Sequence, residues 1–476
     1  MDNAVMRQTV RDRWARDALA SLSGFVEIPA LSPAFDADWA AAGRLHAAVD
    51  HVRRYLADRP IAGASTDVVE LPGRTPVLLL DVPARDATTD ETVVVYGHLD
   101  KQPAAGAWSP GLGPWTPVVK DERLYGRGAG DDGYAGYAAA TALEALHAAG
   151  GRHARTVVLL ETGEESGSPD LDAYLSHLGP RLGKVGLVVC LDTSGADYER
   201  LWLATSLRGI AFLDVTVRVL TAGVHSGHAS GLVPSSFRIL RELLDRIEDP
   251  RSGRFKLPEL TVAVPPDRLA EVRVAAAEGF LTPQLPLVEG MRYATDDIVE
   301  LTLANTWRTT LSVTGADGLP PLLDAGNVLR PYTSLKLSFR LPPTVDAGAA
   351  LRAVEKTLTT DVPFGAQVEI ARAEAADGWN SPPRAAWLES TLDAVSADVF
   401  GKPWRALGLG GTIPFLGMFG RAYPDAQFVV TGPRGPGNNA HVPDEWLHLE
   451  QTERVTEAVA RILHAHATAG RAGEGD

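Results

Sequence analysis

Three segments of the chain place carboxylate or imidazole side chains directly after short apolar runs. TVVVYGHLDKQP carries His98 and Asp100, LLETGEESGS carries Glu164 and Glu165, and CLDTSG carries Asp192. Each apolar run has the length of a buried strand, and open α/β sheets build their sites at the carboxyl ends of strands. A helix cap or solubility explains one such acid, but acids repeated at one sheet edge favour a cation site.

Two further segments add to this set of side chains. Asp131 and Asp132 follow a glycine-rich turn and precede a run of small residues. Adjacent carboxylates repel and are usually solvated, but a carboxylate shared by two divalent ions loses that penalty. His441, in GPGNNAHVPDEW, completes a ligand set of oxygen and nitrogen atoms without a thiolate. In HLD, His98 could ligate a metal while Asp100 binds the other nitrogen of its ring. An ordinary surface turn has the same pattern.

The elements that must position these side chains follow from the apolar pattern. Apolar spacing near three to four predicts helices over residues 5–25 and 36–58, and small apolar residues predict another over 133–149. The buried strands predicted in the same region are PVLLLDV, TVVVYG, RTVVLLET and VGLVVCLD. Their alternation with helices is typical of βαβ units, so we expect an α/β fold with a largely parallel sheet.

The pattern changes near Leu203 and changes back near Trp379. GIAFLDVTVRVL alternates like a half-buried strand, LVPSSFRILRELLDRIED reads as a helix, and a proline-rich stretch follows around 257–286. SLKLSFRLP and AQVEIARA read as strands on either side of a helix, VDAGAALRAVEKTL. We therefore predict a domain inserted at 204–377 between two parts of a first domain, 1–203 and 378–476. The polar tail TAGRAGEGD is expected to fray.

Composition narrows the partners. Of the 476 residues, 45% are hydrophobic and 22% are charged, which suits a large globular core. The 60 acidic and 45 basic residues give a net charge of -15, which disfavours nucleic acid or an anionic membrane as a partner. Cys190 is the only cysteine, and the charged start MDNAVMRQTVRDRWARD does not resemble a secretory signal. No uncharged stretch approaches the roughly 20 residues that cross a bilayer, so we expect a cytoplasmic protein.

Five motifs taken together resemble the M20 metallopeptidase family, in particular its carnosinase-like cytosolic dipeptidase branch. The motifs are YGHLDKQP, GRGAGDD, ETGEESGS, CLD and NNAHVPDE, and their order and approximate spacing match over nearly the whole chain. The resemblance implies a zinc-aminopeptidase-like catalytic domain with an inserted α+β lid that mediates homodimerisation. It also implies an enzyme that hydrolyses the peptide bond of dipeptides or similar small substrates.

The resemblance assigns the metal ligands residue by residue. It makes Asp131 the ligand that bridges two divalent ions. It gives His98 and Asp192 to one ion and Glu165 and His441 to the other. Zinc is the expected metal, and the same ligands permit manganese or cobalt.

The resemblance also supplies catalytic roles. Glu164 is left as the general base that takes a proton from water, and Asp100 orients the His98 ring. Two close cations acidify water and polarise the amide carbonyl, so a neighbouring carboxylate can carry the proton to the leaving amine.

Substrate contacts are implied in the inserted segment and after it. His225, in GVHSGHASG, resembles the lid histidine that stabilises the developing oxyanion. Arg340, in SLKLSFRLP, resembles the arginine that binds a substrate carboxylate. Asn327 falls where relatives place a small polar residue that reaches the neighbouring active site. The backbone around Gly411 and Thr412, in GLGGTIPF, is expected to approach the substrate closely.

The chain departs from the family pattern at positions that concern substrate recognition. These are Gly408 and Leu409 in place of a charged or polar pair, Gly133 and Tyr134 in place of Lys-Gly, and Arg330 in place of proline. An N-acyl amino acid deacylase or amidohydrolase is the alternative, which a comparison of a dipeptide with its acetylated form would separate. A non-catalytic metal-binding scaffold is a remoter alternative, because binding metal alone does not require Glu164.

Overall fold

The structure is a computed structural model that describes residues 1–280 and 285–469. Contacts between residues divide the chain into two units. The first comprises Met1–Ala204, Ser381–Leu407 and the described part of Met418–Asp476, and the second the described part of Thr205–Asn380 with Gly408–Gly417. Most of the tail that we expected to fray, from Gly470 onward, lies outside the described residues.

The segment Gly408–Gly417 differs from the sequence-based division, which placed it in the catalytic domain as part of 378–476. The Gly410 carbonyl oxygen accepts a hydrogen bond from Arg208 Nε at 3.0 Å, and the Thr412 hydroxyl accepts one from Arg340 Nη1 at 3.1 Å. These long-range hydrogen bonds tie the loop to the second unit. Sequence periodicity could not reveal them, because the bonded residues lie far apart in the chain.

The described residues form eighteen β-strands. In chain order they are β1 Ser65–Val69, β2 Val77–Val82, β3 Thr92–His98, β4 Val118–Lys120, β5 Arg123–Tyr125, β6 Arg155–Glu161, β7 Val185–Cys190, β8 Trp202–Leu207, β9 Gly209–Arg218, β10 Val224–His225, β11 Thr310–Asp317, β12 Val328–Leu329, β13 Tyr332–Leu341, β14 Gln367–Ala376, β15 Trp379–Asn380, β16 Arg405–Leu409, β17 Gln427–Val430 and β18 Trp446–His448.

The same residues form fourteen α-helices. They are α1 Asn3–Arg13, α2 Leu19–Val26, α3 Trp39–Ala42, α4 Arg44–Ala57, α5 Ala135–Ala148, α6 Leu171–Leu182, α7 Ser226–Ala229, α8 Ser236–Leu244, α9 Pro266–Ala277, α10 Ile298–Thr306, α11 Ala347–Thr359, α12 Ala386–Val395, α13 Pro414–Ala422 and α14 Leu449–Thr468. No helix of the described chain combines the length and the apolar character needed to cross a membrane.

The first unit is organised around a six-stranded sheet in the order β1-β2-β6-β3-β7-β17. Strand β3 runs parallel to both β6 and β7, and β17 runs parallel to β7, whereas β1 and β2 are antiparallel additions at one edge. The predicted α/β class with a largely parallel sheet is therefore confirmed. Because β3 is buried along its whole length, its run of apolar residues needs no alternation.

Helix α5 lies in the core of the first unit. Its residues from Ala135 to Leu146 are all buried, and it packs against α1 and α14 in one apolar cluster. Alanine and glycine predominate in its sequence, and such small side chains let neighbouring elements approach closely. This packing fixes the start of α5, which follows the turn that contains Asp131 and Asp132.

The second unit is built on an antiparallel sheet in the order β11-β13-β9-β14. Burial alternates residue by residue along β9, as its sequence predicts for a half-buried strand. Helices α8 and α11 contribute Ile239, Leu243 and Val354 to the same apolar cluster as Val215 and Leu337 of the sheet. Neighbouring strands of this sheet are thus antiparallel along its described length, in contrast to the parallel strands of the first unit.

Two sequence expectations need correction. The helix predicted over 5–25 consists of α1 and α2 joined by a wider turn at Trp14–Ala18, and the one over 36–58 breaks at Gly43, whose φ is 64°. The stretch around 257–286, which was predicted only as proline-rich, contains α9. Its prolines stand at the start of the helix, where a missing N–H costs nothing.

A histidine pair joins the end of α5 to the start of β6. His147 Nε2 lies 2.7 Å from His153 Nε2, and His153 Nδ1 lies 2.8 Å from the Ala154 carbonyl oxygen. Burial lowers the pKa of His147 to about 4, and burial also lowers the pKa of His153. Both rings are therefore neutral in the folded protein near pH 7.

We predict that this pair makes the fold sensitive to acid. Both folded pKa values lie below the unfolded value of about 6.5, so the stabilisation is complete above that pH and is lost as the pH falls below it. When the pH is lowered from about 7.5 to about 5, the unfolding temperature of His147→Gln should fall less than that of the wild type. The exposed His177→Gln is the matched control. An equal loss in His147→Gln and the wild type would contradict the prediction.

Candidate metal centre

The parallel strands of the first unit bring the predicted strand-end residues to one edge of the sheet. His98 is the last residue of β3, Glu164 and Glu165 lie in a short helical turn after β6, and Asp192 follows β7 by two residues. Strand β3 is the direct neighbour of both β6 and β7. Three separate chain segments therefore deliver their polar side chains to the same place, as parallel strands require.

Asp131 enters the site from the turn that precedes α5. Its backbone is neither helical nor left-handed, with φ of -127° and ψ of 88°, and its peptide bond to Asp132 is cis. The turn lies so close to β3 that a Cβ atom on Gly97 would meet Asp132 Oδ2 at 2.7 Å. Glycine at position 97 is what allows the turn to approach the strand.

The two oxygens of Asp131 face two different histidines. Oδ1 lies 3.5 Å from His98 Nε2, and Oδ2 lies 2.9 Å from His441 Nε2. On the first side, Asp192 Oδ2 lies 4.0 Å from His98 Nε2. On the second side, Glu165 Oε2 lies 3.2 Å from His441 Nε2. The structure thus brings the five predicted ligands into two sets that share Asp131.

The first set surrounds an imidazole nitrogen that has no hydrogen-bond partner. His98 Nδ1 lies 3.1 Å from the Asp100 carbonyl oxygen, whereas His98 Nε2 is buried without a partner. Burial lowers the pKa of the His98 ring, but the surrounding carboxylates outweigh it and raise the pKa well above its usual value. The pocket therefore requires positive charge beside Nε2, which a metal ion on an unprotonated nitrogen supplies.

Asp100 also holds the turn that carries the two glutamates. Its Oδ1 accepts a hydrogen bond from the Glu164 backbone N–H at 3.2 Å, and its Oδ2 accepts one from Glu165 at 3.0 Å. Asp100 Oδ1 also lies 3.4 Å from His98 Nδ1. One carboxylate therefore couples the orientation of the His98 ring to the position of Glu164.

Burial and mutual repulsion shape the electrostatics of the site. Burial raises the pKa of Asp192 to about 7, and burial together with the Asp192 charge raises that of Glu164 well above its usual range. Burial acts in the same direction on Asp131, but Arg434 and the two histidines outweigh it and hold the pKa of Asp131 well below its usual range. Carboxylates packed in this way favour the entry of cations.

Arg434 is a site residue that the sequence analysis missed. Its guanidinium donates to Asp192 Oδ1 through Nη2 at 2.5 Å and forms an ion pair with Asp131 Oδ1 through Nη1. It follows the carboxyl end of β17, the fourth parallel strand. That strand-end position is the signal that could have identified it.

Two further buried residues support the site from outside and were also missed. Glu445 accepts hydrogen bonds from Arg127 Nη1 at 2.5 Å and from the Gly128 backbone N–H at 3.0 Å, which fixes the turn before Asp131. Lys101 donates to the Phe25 and Ile28 carbonyl oxygens at 2.7 and 2.8 Å. Their charged side chains gave no sequence signal of burial, because burial depends on partners distant in the chain.

The remaining predicted site residues belong to the second unit and form two groups there. His225 pairs with Val328 across β10 and β12, and the Asn327 carbonyl oxygen accepts from the Ser226 N–H at 2.9 Å. Arg340 donates to the Thr412 hydroxyl at 3.1 Å. The would-be Cβ of Gly411, beside Thr412, has no atom within 4 Å, so its surroundings are open.

Comparison with known proteins connects this arrangement to a family. The profile of peptidase family M20/M25/M40 matches residues 94–465, a range that includes both ligand sets. The chain belongs to this family. The resemblance inferred from five short motifs is therefore confirmed, and members of this family are metal-dependent.

Individual relatives of this M20 peptidase are similar over most of their length. The chain is 26% identical over 380 residues to the cysteinylglycine-S-conjugate dipeptidase of Corynebacterium striatum, covering 78% of this chain and 80% of the relative. Its fold matches the di-peptidase Dug1p of Saccharomyces cerevisiae with a TM-score of 0.73 and 20% identity, over 98% and 99% of the two chains. Human carnosine dipeptidase 1 matches with a TM-score of 0.71 and 20% identity, over the same shares. These structural likenesses show a common fold.

The residues of this M20 peptidase fit divalent cations. One ligand atom each from His98, Asp131 and Glu165 lies within 4.8 Å of the others, and the same holds for His98, Glu164 and Asp192. Imidazole nitrogen and carboxylate oxygen are the donors that zinc, manganese and cobalt accept. The partnerless His98 Nε2 supplies the lone pair that such an ion requires.

We predict that Arg434 weakens cation binding at these carboxylates. Arg434→Met removes a positive charge that repels the cations and leaves the metal-free carboxylates without a counter-ion. Breaking a buried ion pair costs about 3–5 kcal/mol, so the metal-free variant should be less stable and should bind Zn²⁺ more tightly. Thermal unfolding with a chelator and in a Zn²⁺ titration measures both effects, with Arg434→Lys as the charge-retaining control. Weaker Zn²⁺ binding by Arg434→Met would show that the guanidinium supports the ligands instead.

Proposed function

We propose that the chain is a metal-dependent dipeptidase that hydrolyses the peptide bond of dipeptides or similarly small substrates with two divalent ions. The observation that carries this proposal is Asp131, whose two oxygens face His98 and His441 on opposite sides. A shared carboxylate of this kind suits two cations held a few ångström apart. The similarity to dipeptidases over most of the chain supports the same activity.

Each ion has its own ligands besides the shared one. His98 and Asp192 complete the first set, and Glu165 and His441 complete the second. Zinc is the proposed metal, because nitrogen and oxygen donors suit it. The same donors also admit manganese or cobalt, and without a thiolate they do not favour a softer ion. His441 has a side chain that is 52% exposed, so the second set is open to solvent.

Glu164 is the proposed general base. When bound, the two ions would acidify a water molecule and polarise the scissile carbonyl. Glu164 then takes the proton from the water and delivers it to the departing amine nitrogen, a transfer that requires a carboxylate near both. The hydrogen bond from the Glu164 backbone N–H to Asp100 fixes the backbone of the turn that carries this side chain.

The second unit is proposed to complete the substrate site. His225 donates a hydrogen bond to the developing oxyanion, Arg340 binds the substrate carboxylate, and Asn327 contacts the substrate from a neighbouring subunit. The backbone at Gly411 and Thr412 lies along the substrate. This assignment requires a homodimer formed through the second unit.

The alternatives are less well supported. Curated relatives that are similar over most of this chain are dipeptidases, which does not favour an N-acyl amino acid deacylase or amidohydrolase. A scaffold that only binds metal has no use for Glu164 beside the ligands. We propose a cytoplasmic location, which is supported by the buried, free Cys190.

We predict that one glutamate variant and one aspartate variant will separate catalysis from metal binding. The wild type should contain about two divalent ions per chain and lose activity with a chelator. Glu164→Gln should abolish turnover and keep most of the metal, whereas Asp131→Ala should lose both, because it removes the shared ligand. Elemental analysis and dipeptide hydrolysis measure the contrast, and the exposed Glu259→Gln is the matched control. Substantial turnover by Glu164→Gln, or metal-free active wild type, would refute the assignment.

We also predict that His225 serves the active site of the partner subunit. Removing one oxyanion donor costs about 10²- to 10³-fold in rate, so His225→Ala should be nearly inactive. Mixed dimers of Glu164→Gln and His225→Ala chains should regain activity, because one of their two sites combines an intact base with an intact histidine.

The control for this experiment is His228→Ala, whose ring centroid lies 5.1 Å from that of His225. It should remain active by itself, since His228 is an exposed residue of α7, which corrects the loop position expected from the sequence. Verified mixed dimers that stay inactive would place His225 in the site of its own chain.

A further inference from the structure

Most buried guanidinium groups of the described chain have a carboxylate partner. This pattern is expected, because burying a charge without a counter-ion is costly. The pairs are Arg127 with Glu445, Arg268 with Glu271, Arg434 with Asp192 and Arg461 with Glu457.

Arg208 and Arg340 of the second unit do not follow this pattern. Arg208 is only 6% exposed, and its guanidinium donates to the Gly410 carbonyl oxygen at 3.0 Å and to the Thr310 hydroxyl at 3.3 Å. Arg340 donates to the Thr412 hydroxyl at 3.1 Å. Among residues 1–280 and 285–469, neither guanidinium forms an ion pair with a carboxylate, and each keeps N–H groups that no acceptor uses.

The two guanidinium groups are neighbours around one loop. Thr412 accepts from Arg340 and donates through the same hydroxyl to the Arg208 carbonyl oxygen at 2.5 Å. Burial lowers the pKa of Arg208 to about 10, with a further contribution from the Arg340 charge. Both groups are therefore positively charged near pH 7 and repel each other. No carboxylate of the described chain pairs with either group to offset this repulsion.

We propose that Arg208 is a specificity-determining residue, which together with Arg340 binds the two carboxylates of an acidic C-terminal substrate residue. The preferred substrates would then be dipeptides of the form Xaa-Asp or Xaa-Glu. This inference rests on the proposed dipeptidase function, in which Arg340 binds the α-carboxylate.

The charge balance favours two carboxylates over one. A single α-carboxylate leaves the site with one uncompensated buried positive charge, whereas a residue with a carboxylate side chain neutralises both guanidiniums. Neither Gly408 nor Leu409, before the glycine pair, supplies a side-chain carboxylate to the loop. Guanidinium groups with free N–H donors bind carboxylates through directed, charge-assisted hydrogen bonds.

Hydrolysis of Ala-Glu and of its neutral isostere Ala-Gln by the metal-loaded enzyme tests the proposal. A charge-assisted hydrogen bond to the side-chain carboxylate should raise kcat/KM for Ala-Glu by about 10- to 100-fold over Ala-Gln, mainly through KM. Arg208→Gln should bring this ratio close to one, and Arg208→Lys should keep part of it. A merely structural role for Arg208 would lower both rates together and leave the ratio unchanged.

Arg218→Gln, at a half-buried position of the same sheet, is the charge-matched control and should keep the wild-type ratio. A wild-type ratio near or below one, or a ratio that Arg208→Gln leaves intact, would overturn the proposal. The wild-type ratio decides the question even if the Arg208 variants fail to fold. Hydrolysis of Ala-Gln tests the dipeptidase function separately, since its absence together with that of Ala-Glu cleavage would refute the activity itself.

Discussion

The structure of the first unit depends on carboxylates that are forced together at one edge of a parallel sheet. Strands β3, β6 and β7 all end at this edge, and the turn before α5 adds Asp131 between them. Burial raises the pKa values of Asp192 and Glu164, and repulsion from neighbouring carboxylates acts in the same direction. Cations relieve that repulsion, so the arrangement that would be unfavourable in an empty core becomes a reason for metal to bind.

A ring of buried polar residues keeps these carboxylates in position. Asp100 accepts a hydrogen bond from the turn that carries Glu164, and Glu445 with Arg127 holds the turn that leads to Asp131. Lys101 ties the same strand end to the backbone after α2. Each of these groups has its hydrogen bonds satisfied by backbone or by an opposite charge, which is the condition under which buried polar networks rigidify a site.

The two units have opposite electrostatic requirements. The first unit concentrates negative charge and calls for cations, whereas the second holds Arg208 and Arg340 without a carboxylate partner in the described chain and calls for an anion. A zwitterionic or acidic peptide carries carboxylates of the kind that such guanidinium groups bind.

The sequence by itself determined four of the six strands of the main sheet, β2, β3, β6 and β7, because these follow from local periodicity. It also determined the alternation of β9 and the residues at the strand ends. It also determined the family, through the order of five motifs. Only the tertiary structure decided that Arg434 bonds to two of the carboxylates and that Gly408–Gly417 joins the second unit. Contacts between distant segments depend on how the elements pack, and no local pattern of residues encodes that packing.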